Sequence, residues 1–326
     1  MKLLLPVNAP EHIARLLPYG ENVEFYAGLC LQSWEDAFGP MEDLNRMSSF
    51  RRQANMEGFA PVKELVAAAE GHEIFITLNA GIYSPPQTEF LKDVLIQLKE
   101  LQITGIIIGD PYLAPLVRDV GLKAVASTMV GIYNEDIAKF CVDQGFQRLI
   151  LPRDLTLREI AQITEQVPGV EYECFLMRNG CRYSDSHCLA RHSDRYGALC
   201  TYLDRSKPRY CGLAERSFAA HDAAVFNHLF FSQVFHKSAC GICAIWDLMQ
   251  MGIHAGKIVG RADGAESIEE EMALLNRNLN LAASCSSREE YLSQLLLPRR
   301  YDNMCYQGCS CYYPEIRYGG NTHGTS

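Results

Sequence analysis

Six cysteines fall between positions 181 and 243 of this sequence, at Cys181, Cys188, Cys200, Cys211, Cys240 and Cys243, and three more crowd the end at Cys305, Cys309 and Cys311. Thiolates are soft ligands, so a set this dense points to zinc or to an iron-sulfur cluster among the common metals. A zinc ribbon needs two close Cys-x2-Cys pairs, and only Cys240 and Cys243 have that form. An iron-sulfur cluster accepts wide, uneven spacing because several loops grip it, and it is the expected group. Cys141 and Cys174 read as small buried apolar side chains. The tail cysteines, with Cys285 nearby, leave open a second cluster, a partner contact or a loose end.

The same stretch is basic. From Arg178 to Arg216 there are eight basic residues against four acidic ones, a local net of +4 in a chain of net charge -9. That excess either balances a four-thiolate cluster or captures an anion, a small carboxylate or a nucleic-acid phosphate.

The elements that must position these groups alternate along 326 residues. β-rich runs occur at Lys2 to Val7, Val23 to Ala27, Glu73 to Leu78, Gly105 to Gly109, Leu122 to Ala126, Arg148 to Pro152, Val170 to Phe175 and Gly256 to Val259. Several, such as Ile106-Ile107-Ile108, are apolar without alternation, as parallel strands buried on both faces are. Between them, Val62, Leu65, Val66 and Ala69, and Phe90, Leu91, Val94, Leu95 and Leu98, recur at helical spacing. Asn134 marks one helix start, and Ser267 with Glu270 reads as a capping box at another.

Eight such units predict an α/β fold, a (β/α)8 TIM-type barrel rather than an open doubly wound sheet, with no dinucleotide-binding or P-loop glycine motif. The barrel is expected over residues 1–300, with the cysteine-rich insertion between strands 7 and 8, at about 178–243, lying over the C-terminal face. Residues 301–326 form a cysteine- and tyrosine-rich tail. Catalytic groups of barrels follow the strand ends, which here hold Asn8, Gly28, Asn79, Asp110, Ser127, Thr128, Arg153, Asp154, Gly260 and Arg261. The first residues are too interrupted for a signal peptide and no run is long enough to span a membrane, so a cytoplasmic protein with reduced thiols is expected.

The chain resembles the collagenase-like peptidase U-32 family from Lys2 to about Gly264. The similar segments are Val23-Glu24-Phe25-Tyr26-Ala27-Gly28, Ile76-Thr77-Leu78-Asn79, Ala126-Ser127-Thr128 and Leu151-Pro152-Arg153-Asp154-Leu155-Thr156-Leu157. Glu173-Cys174-Phe175 leading to Cys181-x6-Cys188, and Cys240 leading to Lys257-Ile258-Val259-Gly260-Arg261, complete them. The resemblance implies a TIM-type barrel and a 4Fe-4S cluster held by four cysteines. On that analogy the ligands are Cys181, Cys188, Cys200 and Cys240, with Cys211, Cys243 and Cys30 as alternates. It further implies oxygen-independent hydroxylation of an RNA base or of a ubiquinone precursor, with prephenate as oxygen donor. The chain departs from the family in having Met177-Arg178 where many members have His-Gly, and in a shorter Cys188 to Cys200 spacing. The short members, without the additional C-terminal domain of the larger RNA-modifying ones, are the expected nearer comparison.

Three functions follow. The first is the iron-sulfur hydroxylase, in which Arg153 and Arg261 hold donor carboxylates, Asn79 and Ser127 orient the substrate, and Glu173 joins them as a catalytic candidate. The second is a peptidase, as the family name states. No Gly-x-Ser-x-Gly elbow or His-Glu-x-x-His is present, which leaves a cysteine nucleophile beside His187. The third is an accessory iron-sulfur subunit pairing with a homologous partner through Phe226 to Phe235 and the tail tyrosines.

Overall fold

The computed structural model describes residues 1–20, 22–48, 53–181, 184–188, 192–193, 197–198, 239–297 and 311–316. Eight parallel strands lie at Lys2–Pro6, Val23–Cys30, Ile74–Leu78, Gly105–Ile108, Lys123–Ala126, Arg148–Ile150, Glu171–Met177 and Ala255–Ile258. Each pairs with its successor, and the first pairs with the second at Leu3↔Val23 and with the eighth at Leu3↔Gly256, which closes the sheet into a barrel. All eight predicted strands are present.

The helices lie on the outside of this sheet because their apolar faces need it. Leu91, Val94, Leu95 and Leu98 of Pro85–Glu100, and Leu157, Ile160 and Ile163 of Leu157–Gln166, are buried. Asn134 caps Glu135–Asp143 through the Ile137 amide at 2.9 Å, as expected. Thr156 and Glu159 form a reciprocal capping box at Leu157–Gln166. The box expected at Ser267 is corrected. Its helix runs Ala265–Ser284 with Gly264 at the cap, and Ser267 sits inside the first turn, its amide already donating to Gly264 O at 3.2 Å.

A short strand, Asn55–Glu57, joins the sheet where no β-rich run announced it. Gly28 pairs with Thr77 on one side and with Asn55 on the other, so this strand takes the flank of the second strand beyond the end of the first. It brings residues 44–48 and 53–57 over the C-terminal end of the barrel.

The cysteine-rich insertion is pinned at both feet. Arg178 N donates to Ala239 O at 2.7 Å, Gly241 N donates to Leu176 O at 2.7 Å, and Met177 bridges Cys240 in antiparallel fashion. Among the described residues no helix is long and apolar enough to cross a membrane.

Candidate functional site at the barrel mouth

Side chains that point into a parallel barrel stack in layers, and here the layers differ in chemistry. The central one is ionic. Arg148 and Glu24, both fully buried, form a forked pair at 2.5 and 3.2 Å. Arg148 also reaches Glu171 at 2.7 Å and Glu173 at 3.8 Å, and Lys257 pairs with Glu173 at 2.8 Å. Burial pushes the Glu24 carboxyl up to about 7 against the pull of Arg148, and burial lowers Lys257 although Glu173 works the other way. Glu173, expected among the catalytic groups, thus lies in this internal lattice and is 0% exposed.

Above it the mouth carries a different kind of charge. Arg261, on the turn after the eighth strand, is 6% exposed and donates to Thr77 Oγ1 at 2.5 Å and to Asn45 Oδ1 at 3.4 and 3.5 Å. These acceptors are neutral, and among the described residues no carboxylate lies within ion-pair distance of it. Burial accordingly draws its pKa down to about 10. Gly28 makes room for it, since a Cβ there would stand 2.2 Å from Arg261 Nη1 and 2.0 Å from Asn55 Oδ1. Asn45 is oriented by donating to Leu29 O and Asn55 Oδ1 at 2.8 and 2.9 Å.

Asn79 and Ser127, predicted as a substrate-orienting pair, meet. Asn79 Nδ2 donates to Ser127 Oγ at 3.3 Å, and Asn79 Oδ1 accepts from Arg46 N at 3.1 Å. The Arg46 side chain then crosses to the insertion, donating to Cys188 Sγ at 2.7 Å and Cys188 O at 3.2 Å. Arg153 is engaged from the same segment. Its Nε donates to Asp185 Oδ2 at 2.7 Å, Nη1 donates to Asn179 O, and the guanidinium lies 4.4 Å from the centre of the Phe175 ring. Burial opposes its charge, but Asp185 together with Tyr312 and Cys181 outweighs it, so its pKa is raised.

Residues 184–188 therefore lie across the mouth. Thr128 donates to Asp185 at 3.3 Å, and Ser186 stands where a Cβ on Gly131 would come within 2.7 Å, at a glycine with φ +75°. His187, the histidine of the hydrolytic reading, lies 3.2 Å from Ser184 Oγ and stacks on Tyr133. Arg178, of the Met177-Arg178 pair, is engaged by the turn and helix that follow the eighth strand. It is buried and pairs with Asp263 at 3.0 Å and Glu271 at 3.4 Å, tying the seventh strand to the helix after the eighth.

Of the cysteine ligands expected, Cys181 is half-buried after the seventh strand, Cys188 sits on Arg46 and Cys240 is buried at the insertion's far foot. Cys200 and Cys211 lie outside the described residues. Cys30 ends the second strand, its thiol 3.5 Å from Met56 O, and Cys243 is half-buried just before the helix Ile245–Gln250. A separate trio, Glu24, Glu73 and His254, brings possible metal-binding atoms within 4.8 Å of one another, but the Lys2 ammonium already pairs with both carboxylates.

Arg46, Asn45 and Thr77 were missed by sequence reasoning. Thr77 had a signal, being the one hydroxyl in the apolar run Ile74–Leu78. Arg46 and Asn45 fall in a long loop after the second strand, where no periodicity marks a role.

The sequence pattern of peptidase family U32 matches residues 44–296. A tRNA hydroxylation protein P of Haemophilus influenzae is 30% identical over 121 residues, which are 36% of this chain and 26% of that protein. A tRNA hydroxylation protein P1 of Bacillus subtilis is 23% identical over 308 residues, 90% of this chain and 66% of that protein. An uncharacterized protease of Methanocaldococcus jannaschii is 22% identical, covering 94% of this chain and 73% of that protein. A solved U32 peptidase structure aligns at 15% identity and a TM-score of 0.41, over 54% of this chain and 69% of that one. The chain thus matches less than two thirds of the length of either hydroxylation protein.

Proposed function

This chain belongs to peptidase family U32, and on that footing we propose that it is an iron-sulfur enzyme hydroxylating a transfer-RNA base without molecular oxygen. The names of the tRNA hydroxylation proteins favour an RNA base over a ubiquinone precursor. The donor set suits a 4Fe-4S cluster: soft sulfurs from Cys181, Cys188 and Cys240 belong to one end of the barrel, with Arg46 on Cys188 and Arg153 near Cys181 to offset anionic charge. When bound, the cluster supplies electron transfer or activation of the oxygen donor.

The protein's own groups do the rest. Arg261 binds a carboxylate of the donor, prephenate in this reading, while Thr77 and Asn45 hold the guanidinium in place. Asn79 and Ser127 present an amide and a hydroxyl to the base. Asp185 and Thr128 fasten the 184–188 segment over the mouth, limiting water. The observation that carries the reading is Arg261, a buried cation supported by neutral acceptors. A fold retains such a costly charge where an anion completes it.

The test combines two measurements. Transfer RNA from cells lacking the gene should lose one oxygen atom from a modified base by mass spectrometry. Anaerobically purified protein should contain iron and sulfide and absorb broadly in the visible. Stoichiometric zinc without sulfide, or peptide cleavage by iron-free protein, overturns the proposal.

A further inference from the structure

The tail returns to the mouth. Cys311 forms a parallel bridge with Cys240, and Tyr312 N donates to Cys240 O at 2.9 Å. Since Cys240 also bridges Met177, the seventh strand, the insertion's far foot and the tail lie side by side. Paired positions of parallel chains direct their side chains to the same face, so Cys311 and Cys240 present their thiols together.

This placement is built. Tyr312 and Tyr313 are 7% and 4% exposed. Tyr312 Oη donates to Arg178 O at 2.5 Å, Tyr313 Oη donates to Phe175 O at 3.0 Å, and Glu315 accepts from Leu157 N at 2.7 Å. Gly241 lies against the Tyr313 ring, where a Cβ would meet it at 2.9 Å.

We propose that Cys311 supplies the fourth thiolate of the iron-sulfur centre, beside Cys181, Cys188 and Cys240, so that the tail belongs to the site. This rests on the cluster reading above and adds a ligand from outside the insertion. A centre gripped from the seventh strand's end, the insertion and the tail would tie the C-terminal segment to cofactor loading.

The experiment uses the full chain, purified and reconstituted anaerobically with iron and sulfide. Cys311→Ala should lose at least half of the bound iron and sulfide, or give the spin-resonance signal of a three-iron cluster, while Cys285→Ala keeps the wild-type content. Because Cys311→Ala could fold poorly, alkylation of the unaltered protein provides a second reading. Cys311 should resist iodoacetamide in the loaded protein and react after iron is chelated, with Cys285 reacting alike in both states. Wild-type iron, sulfide and spectrum in Cys311→Ala, or equal alkylation before and after chelation, overturns the inference and leaves the cluster reading standing if Cys181→Ala loses the centre. A wild-type protein that binds no iron overturns both.

Discussion

The middle of the barrel and its mouth both bury charge, in opposite ways. In the middle, Arg148 is met by Glu24, Glu171 and Glu173, and Lys257 by Glu173. At the mouth, Arg261 is also buried yet leans on a threonine hydroxyl and an asparagine carbonyl. Desolvation costs several kcal/mol per ion, so the first arrangement compensates its cost within the fold and the second leaves compensation to something outside it. On the proposed reading, the contrast separates charges that hold the barrel together from a charge kept for a ligand.

The strongest way to break this comparison is at Arg148. Arg148→Met leaves Glu24 with only Lys2, 3.7 Å away, and should destabilise the fold by about 3–5 kcal/mol in denaturant titrations. Adding Glu24→Leu should recover most of that loss, because an apolar pair needs no compensation. If the single variant is as stable as the parent, the lattice is not structural.

Glu24 also gives the middle layer a pH signature. Its folded pKa, about 7, lies above the ordinary 4.5, so its stabilising contribution is complete below 4.5 and is lost as pH rises through about 7. Stability should therefore fall across that window by on the order of 3 kcal/mol from this group. Glu24→Gln should flatten the slope, and an unchanged pH profile in that variant would place the ionisation elsewhere.

A smaller effect is expected where the two regions meet. Gly28→Ala drives a methyl into Arg261 and Asn55, and should cost about 2 kcal/mol by overpacking. Hydroxylation should fall with it, since the guanidinium must move. Full activity in a folded Gly28→Ala protein would remove Arg261 from the site.

How much of this was legible in the sequence follows the same division. The eight strands were readable because parallel strands buried on both faces are short apolar runs, as Ile106-Ile107-Ile108 shows. Asn79, Ser127 and Arg261 were readable because polar groups directly after such runs stand at a barrel's mouth. Glu24, Arg148 and Lys257 were not, since one charge in a short strand looks the same whether it faces solvent or the interior. Asn55–Glu57 lacked β-rich residues and forms because Gly28 has a flank open beyond the first strand. The return of Cys311 to Cys240 depends on contacts across about seventy positions, which local pattern does not encode.

The sharpest test expects the least change in stability. Arg261→Gln removes a buried cation that has neutral hydrogen-bond partners, and the amide keeps a donor for Thr77 or Asn45. Its unfolding free energy should stay within about 1 kcal/mol of the parent, because the lost hydrogen bonds and the relieved desolvation oppose each other. Donor-dependent hydroxylation should nevertheless fall about 100-fold or more, the loss typical when a charge-stabilising donor leaves an active site. Arg148→Met, by contrast, should lose activity only in proportion to its unfolded fraction. If Arg261→Gln instead loses as much stability as Arg148→Met while its folded fraction retains full turnover, Arg261 is a structural charge like those beneath it, and the distinction between the two layers fails.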